Sequence, residues 1–131
     1  MIKKQFTIYL QNRPGVLAKL VGRLGKAGIN IEGISACTSP DVGLVQLVVS
    51  NATSARRIFK SMGLAYTTQD VSLMKLPNKP GILARIASDL AEADVNISYI
   101  YGTGNEGDED SYLILSAPDL KKVEAAWRRL A

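Results

Sequence analysis

Residues 10–18 read LQNRPGVLA, and the nearly identical LPNKPGILA returns at residues 76–84. Each copy stands between a segment of alternating apolar residues and a segment with apolar residues three and four positions apart. The first pattern is typical of a strand and the second of an amphipathic helix. An Asn-basic-Pro-Gly loop that recurs at the same kind of junction indicates that the chain repeats itself.

A shift of 66 residues, the separation of Asn12 from Asn78, aligns residues 10–34 with residues 76–100 without a gap. The residues of the first half that meet an identical residue in the second are Leu10, Asn12, Pro14, Gly15, Leu17, Ala18, Leu24, Ala27, Asn30, Ile31 and Ile34. Chance does not produce such a match. We therefore predict an internal duplication, with one repeat at residues 1–69 and the other at residues 70–131.

The first repeat predicts the element order βαββαβ. An alternating strand ends at Leu10, and a helix follows Pro14, with Asn12 as its expected N-cap and Gly28 as its C-terminal glycine. Two strands at residues 29–38 and 44–50 flank a turn at residues 39–43. A second helix begins near Asn51, and residues 64–68 form the last strand.

The second repeat predicts the same order but stops early. Its strands lie at residues 71–76, 96–101 and 111–116, its first helix at residues 81–93, and its last helix begins near Pro118. Because no fourth strand follows, its sheet should have an unpaired edge unless something covers it. The predicted fold class is α+β: two ferredoxin-like βαββαβ repeats with antiparallel sheets and helices on one face.

Apolar residues on both faces of these sheets predict a homo-oligomer, most simply a homodimer. Leu47 is expected to face the helices, whereas Leu44, Val48, Tyr112 and Ile114 point to the opposite face. An uncovered apolar sheet face is uncommon in a monomer.

Composition excludes several classes of protein. The 131 residues are 47% hydrophobic with no run long enough to cross a bilayer, which predicts a cytoplasmic protein without a membrane partner. The net charge of +4 is scattered, and aromatic residues make up only 6%, so we expect no nucleic-acid partner. The single cysteine, Cys37, excludes an internal disulfide, and its place in a strand predicts a buried side chain.

The residue types present also limit which catalytic and metal-binding sites the chain can form. The chain has no histidine and no convergent set of acids and bases, so we predict no enzyme, no catalytic residue, no cofactor and no metal. The acidic run GNEGDED at residues 104–110 does not have the spacing of a calcium-binding EF-hand loop. We interpret it as a solvated hairpin loop.

The recurring loop predicts a binding site. Backbone N–H groups at the start of a helix attract an anion, and an asparagine amide can both donate and accept, which suits an amino-acid zwitterion. Asn30, at the other end of the same helix, recurs as Asn96. An alternative stays open, in which Asn12 only caps the helix and Asn30 only shapes a turn.

The segments NRPGVLAKLVGRLGKAGINI and NKPGILARIASDLAEADVNI resemble the signature of the ACT domain, a regulatory module that binds amino acids. The resemblance covers nearly the whole chain as two tandem copies. It implies a stand-alone sensor without a catalytic domain, whose effector sits at interfaces between domains. The family also uses a histidine two residues before the loop asparagine; Leu10 and Leu76 stand there in this chain, which implies a less polar site.

The resemblance implies ligand contacts in both repeats. In the first they are Asn12, Arg13, Gly15, Val16, Leu17, Asn30 and Ile31, and in the second Asn78, Lys79, Gly81, Ile82, Leu83, Asn96 and Ile97. The competing hypothesis is a structural or protein-interaction module with no small-molecule ligand.

Overall fold

The computed structural model describes residues 1–38 and 42–130. The elements, in chain order, are β1 (Ile2–Gln11), α1 (Val16–Lys26), β2 (Ile31–Thr38), β3 (Val42–Val49), α2 (Ala52–Ser61), β4 (Ala65–Pro77), α3 (Ile82–Glu92), β5 (Tyr99–Thr103), β6 (Asp110–Ser116) and α4 (Leu120–Leu130). The predicted fold class is confirmed. The turn expected at residues 39–41 lies outside the described residues.

The chain divides into two compact units, and the first is Lys4–Gln69. Its strands follow the order β2-β3-β1-β4, with β1 and β2 both antiparallel to β3. Alternation in β1 buries Phe6, Ile8 and Leu10 on the side that packs with the helices. The rings of Phe6 and Phe59 meet edge to face at 5.0 Å, and Tyr66 approaches Phe59 at 5.5 Å. This aromatic cluster fixes α2 on the sheet.

The second unit combines Met1–Lys3 with the chain from Asp70 onward. β6 lies between β4 and β5 and is antiparallel to both. On the other side of β4, the Met1 amino group donates to the Leu73 carbonyl at 2.9 Å and the Leu73 N–H donates to the Met1 carbonyl at 2.8 Å. The first residues of the chain therefore cover the edge that the missing fourth strand leaves open.

An ion pair reinforces that arrangement. The Met1 ammonium lies 3.0 Å from a carboxylate oxygen of Glu124, which is 6% exposed on α4. Burying a carboxylate is costly unless it is paired, so the N-terminal segment also neutralises a charge inside the second unit. The edge that the sequence predicts to be unpaired is thus covered by the chain's own first residues.

The helix ends differ from the prediction in one respect. The N-caps of α1 and α3 are Gly15 and Gly81, with φ of 86° and 89°, and no side chain caps either helix. Asn12 is therefore not the N-cap of α1, because the chain needs three further residues to turn into the helix. Gly28 ends α1 as predicted, with φ of 72°, and its counterpart in the second repeat is Asp94, with φ of 58°.

The face of the sheets opposite the helices is only partly exposed. Val48 and Ile114 are 0% and 3% exposed in a single chain, so neither needs a second chain to cover it. Tyr112 remains 51% exposed. Cys37 lies in β2 as predicted, but the prediction that it is buried is wrong, because its side chain is exposed. Over residues 1–38 and 42–130, no helix is long and apolar enough to span a bilayer.

Candidate functional site

The recurring loop borders a small cavity in the first unit, which we call the first asparagine cavity. Asn12, Arg13 and Leu17 line one side of it, and Cys37 and Thr38 at the end of β2 line the other. Its volume is about 100 Å³. Sequence reasoning missed Cys37 and Thr38, because only the pairing of β2 with β3 brings the end of β2 to the loop.

The second unit has an equivalent cavity of about 180 Å³, the second asparagine cavity. Asn78, Ile82 and Leu83 line it together with Thr103 and Ser111 from β5 and β6. Thus the strand ends opposite the loop contribute hydroxyl groups in both units.

An exposed leucine stands beside each asparagine cavity. Leu17 is 37% exposed and its counterpart Leu83 is 50% exposed. Other apolar residues of the same helices are fully buried, namely Leu20 and Leu24 on α1 and Ile86 and Leu90 on α3. Two solvent-exposed leucines at equivalent positions provide an apolar surface that a ligand can contact.

Backbone donors converge on the same place. In α1 the first helical hydrogen bond runs from the Lys19 N–H to the Gly15 carbonyl at 3.0 Å, and the Val16 N–H turns back to the Arg13 carbonyl at 3.3 Å. The N–H groups of Leu17 and Ala18 belong to the first turn, where a helix provides no carbonyl for them. Together with the helix dipole they favour an anionic group such as a carboxylate.

The two loop asparagines are used differently. The Asn78 side chain donates to the carbonyls of Asn105 and Asp108 at 2.7 and 3.0 Å and so ties the acidic loop to the start of α3. Its backbone N–H donates to the Glu109 carbonyl at 2.8 Å. By contrast, Asn12 is exposed, and within the described part of the chain its side chain makes no hydrogen bond. The two asparagines thus differ, because the side-chain N–H groups of Asn78 are both used in hydrogen bonds to the acidic loop.

The second pair of asparagines lies elsewhere. Asn30 follows α1, and its backbone exchanges hydrogen bonds of 2.9 Å with the side chain and N–H of Ser50. Because α1 has 11 residues, Asn30 stands roughly 16 Å along the helix from the loop. Asn96 is exposed at the corresponding place after α3, and Ile31 and Ile97 pack at the margins of the two cores. Within one unit the structure does not bring the two kinds of asparagine together.

A second cavity lies on the other side of each loop, between the two helices of the unit; we call these the basic cavities. In the first unit it measures about 450 Å³ and its lining includes Arg13 and Val16. In the second it measures about 380 Å³ and its lining includes Lys79, Gly81 and Ile82. Arg13 and Ile82 line both kinds of cavity. The predicted site residues that line none of these four cavities are Gly15, Asn30, Ile31, Asn96 and Ile97.

The acidic loop is exposed, as predicted. Next to it the Lys75 ammonium contacts the Asp110 carboxylate at 3.1 Å, and this hydrogen bond raises the pKa of Lys75. On the same sheet face Tyr99 and Tyr101 stack at 6.4 Å, and burial, together with Tyr99, raises the pKa of the Tyr101 hydroxyl. Across the residues that can be described, no group of three acidic, cysteine or histidine side chains could hold a metal ion.

Comparison with known proteins agrees with this architecture. A family model that describes an ACT domain pair matches residues 1–116. A crystal structure of a protein from Bacteroides thetaiotaomicron is similar with a TM-score of 0.88 and 26% identity, over 98% of this chain and 88% of that one. A comparison with curated proteins finds no significant match.

Regulatory subunits of aspartate kinase share the fold. The subunit from Thermus thermophilus, in its ligand-free form, has a TM-score of 0.73 at 19% identity, and that from Thermus flavus has 0.70 at 19%. Each comparison covers 97% of this chain and 88% of the other. The chain therefore shares the fold of these regulatory subunits.

Proposed function

Because this chain belongs to the ACT domain pair family, we propose that it is a non-catalytic sensor that binds a free amino acid at its asparagine cavities. One observation carries the proposal. In each unit a loop asparagine, an exposed leucine and the start of a helix border the same cavity. Amide N–H groups suit the carboxylate, the asparagine oxygen suits the ammonium, and the leucine suits an apolar side chain.

The ligand is shared between two copies of the chain in this proposal. The asparagine cavities measure about 100 and 180 Å³, less than the roughly 300–1,000 Å³ of enclosed ligand sites, so each offers only part of a site. Asn30 is too far along α1 to reach a ligand beside Asn12 of its own unit. A neighbouring copy that supplies Asn30 and Ile31 completes the site and makes the protein a homodimer whose assembly responds to the ligand.

The second repeat is the weaker site. Asn78 holds the acidic loop with both of its amide donors, so only its oxygen is left to orient a ligand. In the first repeat, the Asn12 side chain makes no hydrogen bond to any described residue, so its amide donors and its oxygen can all contact a ligand. We also propose that the protein works in the cytoplasm, which suits an exposed single thiol at Cys37.

Calorimetric titration with each of the twenty amino acids, together with thermal melts, tests the function. At least one amino acid should give heat and raise the melting temperature, and Asn12→Ala combined with Asn78→Ala should abolish both effects. If no amino acid does so at millimolar concentration, the chain is a structural or interaction module instead.

A complementation experiment tests the shared site. In a chain that already carries Asn78→Ala, Asn12→Ala and Asn30→Ala should each abolish binding, because each removes one side of both symmetric first-repeat sites. When equal amounts of the two variants exchange subunits, half of the dimers are mixed and half of the sites in those dimers regain both asparagines. Binding should therefore return with about a quarter of the stoichiometry of the Asn78→Ala parent. If the mixture stays inactive although mixed dimers form, Asn12 and Asn30 do not share a ligand.

A further inference from the structure

The basic cavity of the second unit gathers three cations from three separate segments. Lys79 lies in the loop after β4, Arg85 lies on α3 and Arg129 lies in the last turn of α4, and all three line the same cavity of about 380 Å³. The floor between them is apolar and includes Ile82 and Leu130. The cavity is large enough for a small organic molecule.

No counter-charge accompanies these cations. The lining contains no Asp or Glu, and in residues 1–38 and 42–130 none of the three side chains forms an ion pair. Like charges that converge on one cavity repel each other, and an anion placed between them removes that repulsion. The arrangement therefore favours a bound anion over an empty cavity.

The charge also excludes the ligand proposed for the asparagine cavities. A free amino acid carries an ammonium group, which three surrounding cations would repel. Two of the three cations are arginines, whose planar guanidinium groups match phosphate oxygens two at a time. A phosphate monoester carries about −1.5 to −2 charges at pH 7 and can satisfy several cations at once.

The first repeat provides an internal comparison. Its basic cavity keeps two cations at equivalent positions, since Arg13 aligns with Lys79 and Lys19 with Arg85. The last helices follow a different offset, because α2 starts at Ala52 and α4 at Leu120, 68 residues later. Arg129 therefore corresponds to Ser61, which carries no charge and does not line the cavity of the first unit. The third cation is thus specific to the second unit.

We propose that the basic cavity of the second unit binds a phosphorylated small molecule with an apolar body, at a site separate from the asparagine cavities. Lys79, Arg85 and Arg129 hold the phosphate, and the apolar body rests on Ile82 and Leu130. The proposal does not depend on amino-acid binding, and it makes the protein responsive to a second class of metabolite.

Phenyl phosphate is a suitable probe, with binding followed by calorimetry and by backbone amide NMR shifts. It should bind with a stoichiometry near one per chain and shift amides around residues 79–85 and 127–130. The Arg85→Gln/Arg129→Gln double variant should weaken binding at least tenfold. Inorganic phosphate, which lacks the apolar body, and benzoate, which lacks the second charge, should both bind more weakly.

The matched control is Lys121→Gln/Arg128→Gln, which removes the same charge from exposed positions of α4 outside the cavity. It should change the affinity less than twofold, and an NMR spectrum confirms that each variant is folded. The proposal is overturned if phenyl phosphate does not bind at millimolar concentration or if both double variants weaken it equally. It is equally overturned if benzoate or inorganic phosphate binds as tightly as phenyl phosphate.

Discussion

Asn78→Ala should destabilise the protein, whereas Asn12→Ala at the equivalent position should not. The Asn78 side chain donates two hydrogen bonds, at 2.7 and 3.0 Å, to carbonyls of the acidic loop. A hydrogen bond contributes a net stability of about 0.5–1.5 kcal/mol. Because the loop carbonyls are exposed and can bind water after the substitution, the loss should fall in the lower half of the sum, about 1–2 kcal/mol.

Asn12 lacks such contacts within the described residues, so its replacement should change the free energy of unfolding by less than about 0.5 kcal/mol. Urea unfolding of the two variants and the parent protein, monitored by circular dichroism in the absence of ligand, measures both values. Hydrogen exchange should also show faster exchange at the Asp108 N–H, which closes the turn onto the Asn105 carbonyl at 3.0 Å in the loop that Asn78 holds.

Equal losses in the two variants would refute this reasoning. A loss of about 1 kcal/mol in each would indicate that both asparagines cap helices, as the sequence alone suggests. No loss at Asn78 would mean that the loop is held by other contacts.

Three further predictions concern stability and use the same urea assay. Phe59→Ala should cost about 3–5 kcal/mol, because the ring is fully buried within its aromatic cluster; a loss under 1 kcal/mol would contradict that packing. Asp94→Gly should gain roughly 0.5–1 kcal/mol, since Asp94 has a φ of 58° where Gly28 stands in the first repeat; destabilisation would mean that the carboxylate has a compensating role. Removal of residues 1–3 should destabilise the second unit and speed exchange of the Leu73 N–H, which donates to the Met1 carbonyl; an unchanged exchange rate would show that this pairing contributes nothing.

The duplication made most of the fold predictable. Alternating apolar residues located the strands, and the spacing on α1 located the helix, because both patterns are local. The continuity of β4 was missed, since the polar residues Gln69 and Asp70 interrupt the alternation at its middle. The covering of the second sheet by Met1–Lys3 could not be predicted, because it pairs segments about 70 residues apart.

The place of the recurring loop in the fold was predictable, but the contacts of its residues were not. The loop composition correctly pointed to the start of α1, yet Asn12 was assigned a capping role that Gly15 makes unnecessary. The partners of Asn78 are backbone carbonyls 27 and 30 residues away, which no local pattern reports. The strand ends that complete each asparagine cavity depend on strand pairing, and so does the position of Thr38 opposite the loop.

Duplication left two units with the same framework, and the differences between them indicate how their roles have separated. Within the described residues the first repeat's loop asparagine, Asn12, makes no side-chain hydrogen bond, and the uncharged Ser61 stands where the second repeat has Arg129. The second repeat commits Asn78 to its own acidic loop but adds Arg129 to its basic cavity. The hydrogen bonds of Asn78 reduce the groups available to bind an amino acid in the second repeat, whereas the charge of Arg129 increases the attraction of that repeat for a phosphate. Under the two proposals made above, a zwitterion is favoured in the first repeat and a phosphate in the second, and one chain with two similar halves responds to two different metabolites.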